Sequence, residues 1–142
     1  YSEEVAEIVS VSWLKILGRI KTGKLSPNTL YGAYLVFKVS SDGAYGFTDI
    51  PIVVSIGVMG KVTDSRIVNL VVGRWRKLGL GVQYPKESDD GWMEVEMGVF
   101  FNGSTENKEV EIGLYDTKKH YDGRKAGGII VQGIKIRPKY ES

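Results

Sequence analysis

The feature that most constrains this chain is an alternation of apolar and polar residues with period two. In "WMEVEMGVFF" Met93, Val95 and Met97 alternate with Trp92, Glu94 and Glu96. In "KEVEIGLYD" Val110, Ile112 and Leu114 alternate with Glu109, Glu111, Gly113 and Tyr115. Successive side chains of a strand point to opposite faces, so each stretch has one dry face and one wet face. Leu14, Ile16 and Ile20 share a parity in the same way, against Trp13, Lys15 and Arg19. "KTGKLSPNT" interrupts the pattern with Gly23, Pro27 and Asn28, which reads as a loop. Beyond it Tyr31, Ala33, Leu35, Phe37 and Val39 alternate with Gly32, Tyr34 and Lys38.

Further strands are predicted over 51–59, 65–73 and 128–138, separated by turn signals at "SSDGAYG", "SDDG", "FNGST" and "YDGRKAGG". That spacing is typical of antiparallel sandwiches and barrels. Residues 129–136 are apolar on both parities up to Gly133, which predicts either a bulge there or burial on both faces. "SEEVAEIV" is the only helix-like piece. Ser2 followed by Glu3 and Glu4 suits a helix start, and the segment could equally lead straight into the first strand. The chain has 142 residues and shows no fixed-period repeat or domain boundary. One all-β sandwich of roughly seven to nine strands over residues 1–142 is therefore expected.

Composition narrows the function. With no cysteine, disulfides, thiolate metal sites and cysteine nucleophiles are excluded. No apolar run reaches the length of a membrane span, and "YSEEVAEIVS" carries acids where a signal peptide needs bases, so a soluble chain without a classical signal is expected. The sequon Asn102-Gly103-Ser104 is read as a turn. The formal charge is +2, small for a dedicated nucleic-acid binder. The densest basic stretch is "GRWRKLG", where Arg74, Arg76 and Lys77 bracket Trp75. It is a candidate RNA contact, and more simply a solvated loop.

Chemistry at a site would have to come from acids and aromatics. His120, the only histidine, lies in a polar loop, and "GRKAGG" lacks the strand, turn, helix order of a nucleotide-binding loop. Glu94, Glu96, Glu109, Glu111 and Asp116 could supply the two carboxylates of a glycosidase. Acids alternating along a wet strand face are more simply its solubilising groups. Sugar binding asks for less: an aromatic face for the C–H patch of a pyranose, with carboxylates and amides for its hydroxyls. Trp92 shares a face with Glu94 and Glu96, and Tyr115 with Glu109 and Glu111. Were those strands neighbours, an aromatic and acidic surface would result. Trp92 could equally cap the sandwich edge.

"SWLKILGRI", "LSPNTLYGAYLVFK", "YPKESDDGWMEVEMGVFF", "KEVEIGLYD" and "GGIIVQGIKIRPK" follow one another in an order that resembles the phloem protein 2 family of plant lectins. That family includes tobacco agglutinin-like lectins and the carboxy-terminal domains of certain F-box proteins. The resemblance covers residues 12–139. It implies a jelly-roll-like antiparallel sandwich, commonly a homodimer. It also implies binding of chito-oligosaccharides and N-glycan cores without catalysis, metal or cofactor, in plant cytoplasm, phloem sap or nucleus. The chain looks like the stand-alone lectin form, since no F-box precedes it.

By the same resemblance, Glu109 and Asp116 match two acids of the sugar site. They have opposite parity, so Asp116 must lie past the strand end or beyond a bulge. The tryptophan-rich segment that precedes the first motif in tobacco-type relatives is missing before Tyr1. Trp92 and Trp75 are its expected substitutes, with Tyr115 as a further ligand contact and Trp13 as part of the strand. The competing reading is an interaction module of the same fold that has lost sugar binding and recruits a protein or RNA partner.

Overall fold

A computed structural model describes residues 4–12, 15–39, 52–68, 82–83, 85–87, 90–103, 106–116 and 129–139. Eight strands of six residues or more carry the fold: β2 (Glu7–Ser12), β3 (Lys15–Lys21), β4 (Thr29–Val39), β5 (Ile52–Val58), β6 (Lys61–Val68), β9 (Met93–Asn102), β10 (Glu109–Asp116) and β11 (Ile129–Pro138). Three two-residue strands, β1 (Glu4–Val5), β7 (Val82–Gln83) and β8 (Lys86–Glu87), lie on sheet edges. They form a five-stranded sheet in the order β1-β11-β4-β9-β8 and a six-stranded sheet in the order β2-β3-β10-β5-β6-β7. All pairs are antiparallel except β6 with β7.

Because the chain passes from one sheet to the other between β3 and β4, β4 and β5, β9 and β10, and β10 and β11, the inward parities of all these strands meet in one core. Leu35 and Phe37 of β4, Met97 of β9 and Ile134 and Ile136 of β11 face Ile52, Val54 and Ile56 of β5 and Val110 and Ile112 of β10, all fully buried. Each such side chain contributes roughly 1.5–3 kcal/mol by leaving water. The expected all-β sandwich is thus what forms, and the predicted inward parities of β3, β4 and β10 are the buried ones.

Three local expectations are resolved. The helix-like start is extended instead, Glu4 and Val5 pairing with Ile136 and Lys135, and Glu7 with Arg19. An edge strand satisfies backbone groups that a short isolated helix would leave in water. Near Gly133 a bulge forms, the register with β4 shifting between Val131 and Gly133 while Ile130 stays half exposed. The sequon asparagine is structural: Asn102 is buried and its Nδ2 donates to the Ser26 carbonyl at 2.9 Å.

A second bulge was not expected. The β4–β9 register shifts opposite Ala33 and Tyr34, and buried residues change from Val95 and Met97 to Phe100 and Asn102. Gly98 sits there at φ 154, and a Cβ on it would lie 2.8 Å from Ile56 Cδ1. The 65–73 strand also begins earlier than expected, at Lys61, because Met59 and Gly60 close a two-residue hairpin at φ 53 and 81. Both φ values are positive, as in a type I′ turn.

Candidate functional site

β9 and β10 belong to different sheets, so the two acidic wet faces read from the sequence lie on opposite outsides of the sandwich. Trp92, Glu94 and Glu96 go with the five-stranded sheet, and Glu109, Glu111 and Tyr115 with the six-stranded one. The single aromatic and acidic surface does not form.

On the five-stranded side both acids of the β9 wet face, Glu94 and Glu96, are engaged. Arg137 pairs with Glu94 and stacks its guanidinium 4.0 Å from the Tyr34 ring centroid. Glu96 accepts from Arg66 and Lys139, and from the Tyr34 hydroxyl at 3.4 Å. Arg66 belongs to the other sheet, and it also binds Asp64 at 3.1 Å. Asp64 in turn accepts the Val99 N–H at 2.9 Å, beside the Gly98 bulge. Burial pushes the Glu96 carboxyl up, but hydrogen bonds and charge from Lys139 and Arg66 outweigh it and hold the group below its ordinary value. Tyr34 is pushed up by burial and by the Glu96 charge. Trp92 stands just before β9, its backbone N–H donating to Asp90 Oδ1 at 3.0 Å and the Lys38 ammonium 4.7 Å from its ring centroid.

The six-stranded side is more open. Lys21 lies opposite Glu109, Arg19 opposite Glu111 and Lys15 opposite Tyr115. Arg19 reaches the other way, to Glu7 at 3.1 Å. Among the described residues the Glu109 and Glu111 carboxylates have no ion-pair partner within 4.0 Å. Tyr115 folds back over Gly113, where an added Cβ would collide with its phenol, and the Lys15 ammonium stands 5.7 Å from its ring centroid.

At the Glu109 end of this face a groove of about 700 Å³ opens, lined by Val5, Glu7, Arg19, Ile20, Lys21, Gly23, Lys24, Asn107 and Glu109. Its frame is a knot of hydrogen bonds between the turn after β3 and the segment before β10. Thr22, buried, donates its hydroxyl to the Glu106 carbonyl at 2.9 Å and accepts the Lys108 N–H at 2.8 Å. The Thr22 N–H meets the Lys108 carbonyl at 2.8 Å, and the Gly23 N–H meets Asn107 Oδ1 at 2.8 Å. The groove therefore offers the Glu109 carboxylate, the Asn107 amide and the Lys21 and Lys24 ammonium groups beside the paired Glu7 and Arg19. Such donors and acceptors suit a neutral polyhydroxylated ligand.

Of the expected site residues, Glu109 alone lines this groove. β10 continues to Asp116 with no register shift against β3 or β5, so Asp116 is its last residue, seven positions and roughly 23 Å from Glu109. Tyr115 shares the face of Glu109 about 20 Å along the strand. Trp92 is on the opposite outside of the sandwich. Trp75 and the rest of "GRWRKLG", with His120 and Trp13, lie outside the described residues. The sequence reading missed Asn107, Lys21 and Lys24. Only the polar "STENK" before the strand hinted at a rim there.

The profile of the family described as Phloem protein 2 matches residues 1–138. F-box protein PP2-B10 of Arabidopsis thaliana is 42% identical over 140 residues, covering 96% of this chain and 49% of its own length. Putative F-box protein PP2-B12 of the same plant is 41% identical over 137 residues, with 96% and 49% covered. F-box protein PP2-B15 is 37% identical over 162 residues, with 98% and 54% covered. The chain thus spans about half the length of these relatives, all of them named F-box proteins, and the expectation of a stand-alone form draws no support from them.

Proposed function

The chain belongs to the phloem protein 2 family, and from that premise we propose that it is a carbohydrate-binding domain for N-acetylglucosamine oligomers, held without catalysis in the groove at Glu109. The observation that carries this reading is a half-buried carboxylate lining a polar groove with no ion-pair partner among the described residues. With no cation on it among the described residues, its oxygens are available to accept from a ligand. Glu109 accepts hydrogen bonds from sugar hydroxyls. Asn107 has its oxygen committed to Gly23, so it presents its amide nitrogen as a donor. Lys21 and Lys24 donate to ring and hydroxyl oxygens.

The spacing of acids supports binding over hydrolysis. Glu109 and Asp116 stand farther apart than the roughly 5–10 Å of a glycosidase pair. Glu94 and Glu96 are held by cations, the reverse of what a general acid needs. Glu111 shares the face of Glu109 but is exposed on the open sheet surface. Within the F-box relatives a domain like this one fills about half of the chain, and we read its role there as holding the glycan of a glycoprotein partner. The phloem setting, a homodimeric state and N-glycan cores as ligands belong to the same proposal.

Affinity in an open polar groove should be micromolar to millimolar, about 4–8 kcal/mol. Calorimetric titration with N-acetylglucosamine chains of one to four units tests the reading. Affinity should rise with length, no sugar should be released, and Glu109→Gln should weaken binding about tenfold or more by removing one charged acceptor. No heat with the tetramer at millimolar concentration would reject it.

A further inference from the structure

The turn that closes β5 and β6 is built against local preference. Its first central residue has φ 53 and is Met59, where asparagine, aspartate or glycine adopts positive φ at little cost. Burial does not offset that cost, since Met59 is 69% exposed. Strain of this kind persists where something else selects the residue. The Met59 N–H donates to the Glu109 carbonyl at 3.0 Å, so the β10–β5 ladder continues one residue past the strand and places Met59 directly beside Glu109.

The next row across the same outer face is Arg19, Glu111, Gly57 and Val62. Val62 is 64% exposed, also without apolar cover. Gly57 pairs with Val62 and precedes Met59 by two residues, so it presents bare backbone beside both, at the point where the β5–β6 register shifts. Two exposed apolar side chains thus lie beside a bare stretch of backbone, next to the carboxylates of Glu109 and Glu111, which have no ion-pair partner among the described residues. A pyranose has this division: a C–H face that needs apolar contact and a rim of hydroxyls that needs acceptors.

We propose that Met59 and Val62, with Gly57 as floor, form the apolar subsite that receives the C–H face of a sugar ring whose neighbouring unit is held at Glu109. The inference rests on the carbohydrate reading above. It assigns the ring contact to aliphatic groups on the six-stranded sheet and removes Trp92 from that role. The strain at Met59 is then retained for ligand contact.

The test uses Met59→Asn and Val62→Thr, titrated with the N-acetylglucosamine trimer beside the unaltered protein and Glu109→Gln. Asparagine suits the I′ turn, so Met59→Asn should raise Tm while weakening trimer binding about fivefold; Val62→Thr keeps a β-branched strand residue and should weaken it similarly. Unchanged trimer affinity in both variants, with Glu109→Gln impaired, would overturn the subsite and leave the sugar reading standing. A fall in Tm for Met59→Asn would assign the methionine to the fold and overturn it also. No binding by the unaltered protein would remove the sugar reading and this subsite with it.

Discussion

The two outsides of the sandwich carry similar side chains and use them differently. On the five-stranded sheet Glu94 and Glu96 are locked to Arg137, Arg66 and Lys139, and the Arg66 link ties one sheet to the other. On the six-stranded sheet Glu109 and Glu111 alternate in the same sequence pattern, yet among the described residues they pair with nothing, and the groove beside them is framed by Thr22 and Asn107. One face commits its charges to stability. On the other, Thr22 and Asn107 frame the groove, Arg19 pairs with Glu7, and Glu109 and Glu111 keep no ion-pair partner among the described residues. Identical alternation in a sequence therefore leads to ion-paired acids on one sheet and, among the described residues, to acids without an ion-pair partner on the other.

The largest expected break in this comparison is at Glu96. Glu96→Ala takes from Arg66 one of its two carboxylates, leaving Asp64, and takes from Lys139 its Glu96 acceptor. It should cost about 2 kcal/mol, less than a fully buried pair because Arg66 and Glu96 keep 22% and 18% of their side-chain surface. Denaturant unfolding would show the loss, and sugar titration should not change. If Glu96→Ala were as stable as the parent, the five-stranded face would be no more committed than the other.

Thr22→Val attacks the opposite face through its frame. It removes a hydroxyl that donates to the Glu106 carbonyl and accepts the Lys108 N–H while keeping shape, at about 1–2 kcal/mol. Here stability and sugar affinity should fall together, because the same knot positions Asn107 and Glu109. A stability loss with full affinity would separate the groove from its frame.

Acid sharpens the contrast more gently. Glu96 titrates below its ordinary 4.5 in the folded protein, so its contribution to stability is complete above that value and is lost as pH falls through the lower folded value. In Glu96→Gln the decline of stability below about pH 4.5 should be shallower than in the parent. An unchanged acid limb would mean that Arg66 and Lys139 do not hold the carboxylate in solution.

How far these faces could be read in advance depends on range. The inward parities of β3, β4 and β10 follow from Ile16, Leu35 and Ile112 and their neighbours, because strand alternation is local. Near Gly133 the same local pattern left a bulge and two-faced burial open, and the bulge is what forms. Which sheet each strand joins is decided by closure over long sequence distances, and nothing in "WMEVEM" or "KEVEIG" says that Trp92 and Glu109 end on opposite sides. Gly98 was a local signal left unread: it marks where buried residues shift from Met97 to Phe100. Met59-Gly60 was hidden because methionine is a poor turn former. The pairing of Arg66 with Glu96 spans two sheets and has no local trace.

The smallest expected effect is the most discriminating. Trp92 is the residue that sequence alone would choose as a sugar platform, being aromatic, beside acids and within the family motif. In the structure it lies on the five-stranded face, its backbone held by Asp90 and its ring approached by Lys38. If recognition belongs to the Glu109 face, Trp92→Ala should leave affinity for the N-acetylglucosamine trimer within about twofold, although a base–aromatic or sugar–aromatic stack is worth far more than that where it exists. Its loss should appear instead as a small drop in Tm from removed packing around Lys38. A tenfold loss of affinity with Tm unchanged would move the ligand to the other side of the molecule, and the open carboxylate of Glu109 would then need another explanation.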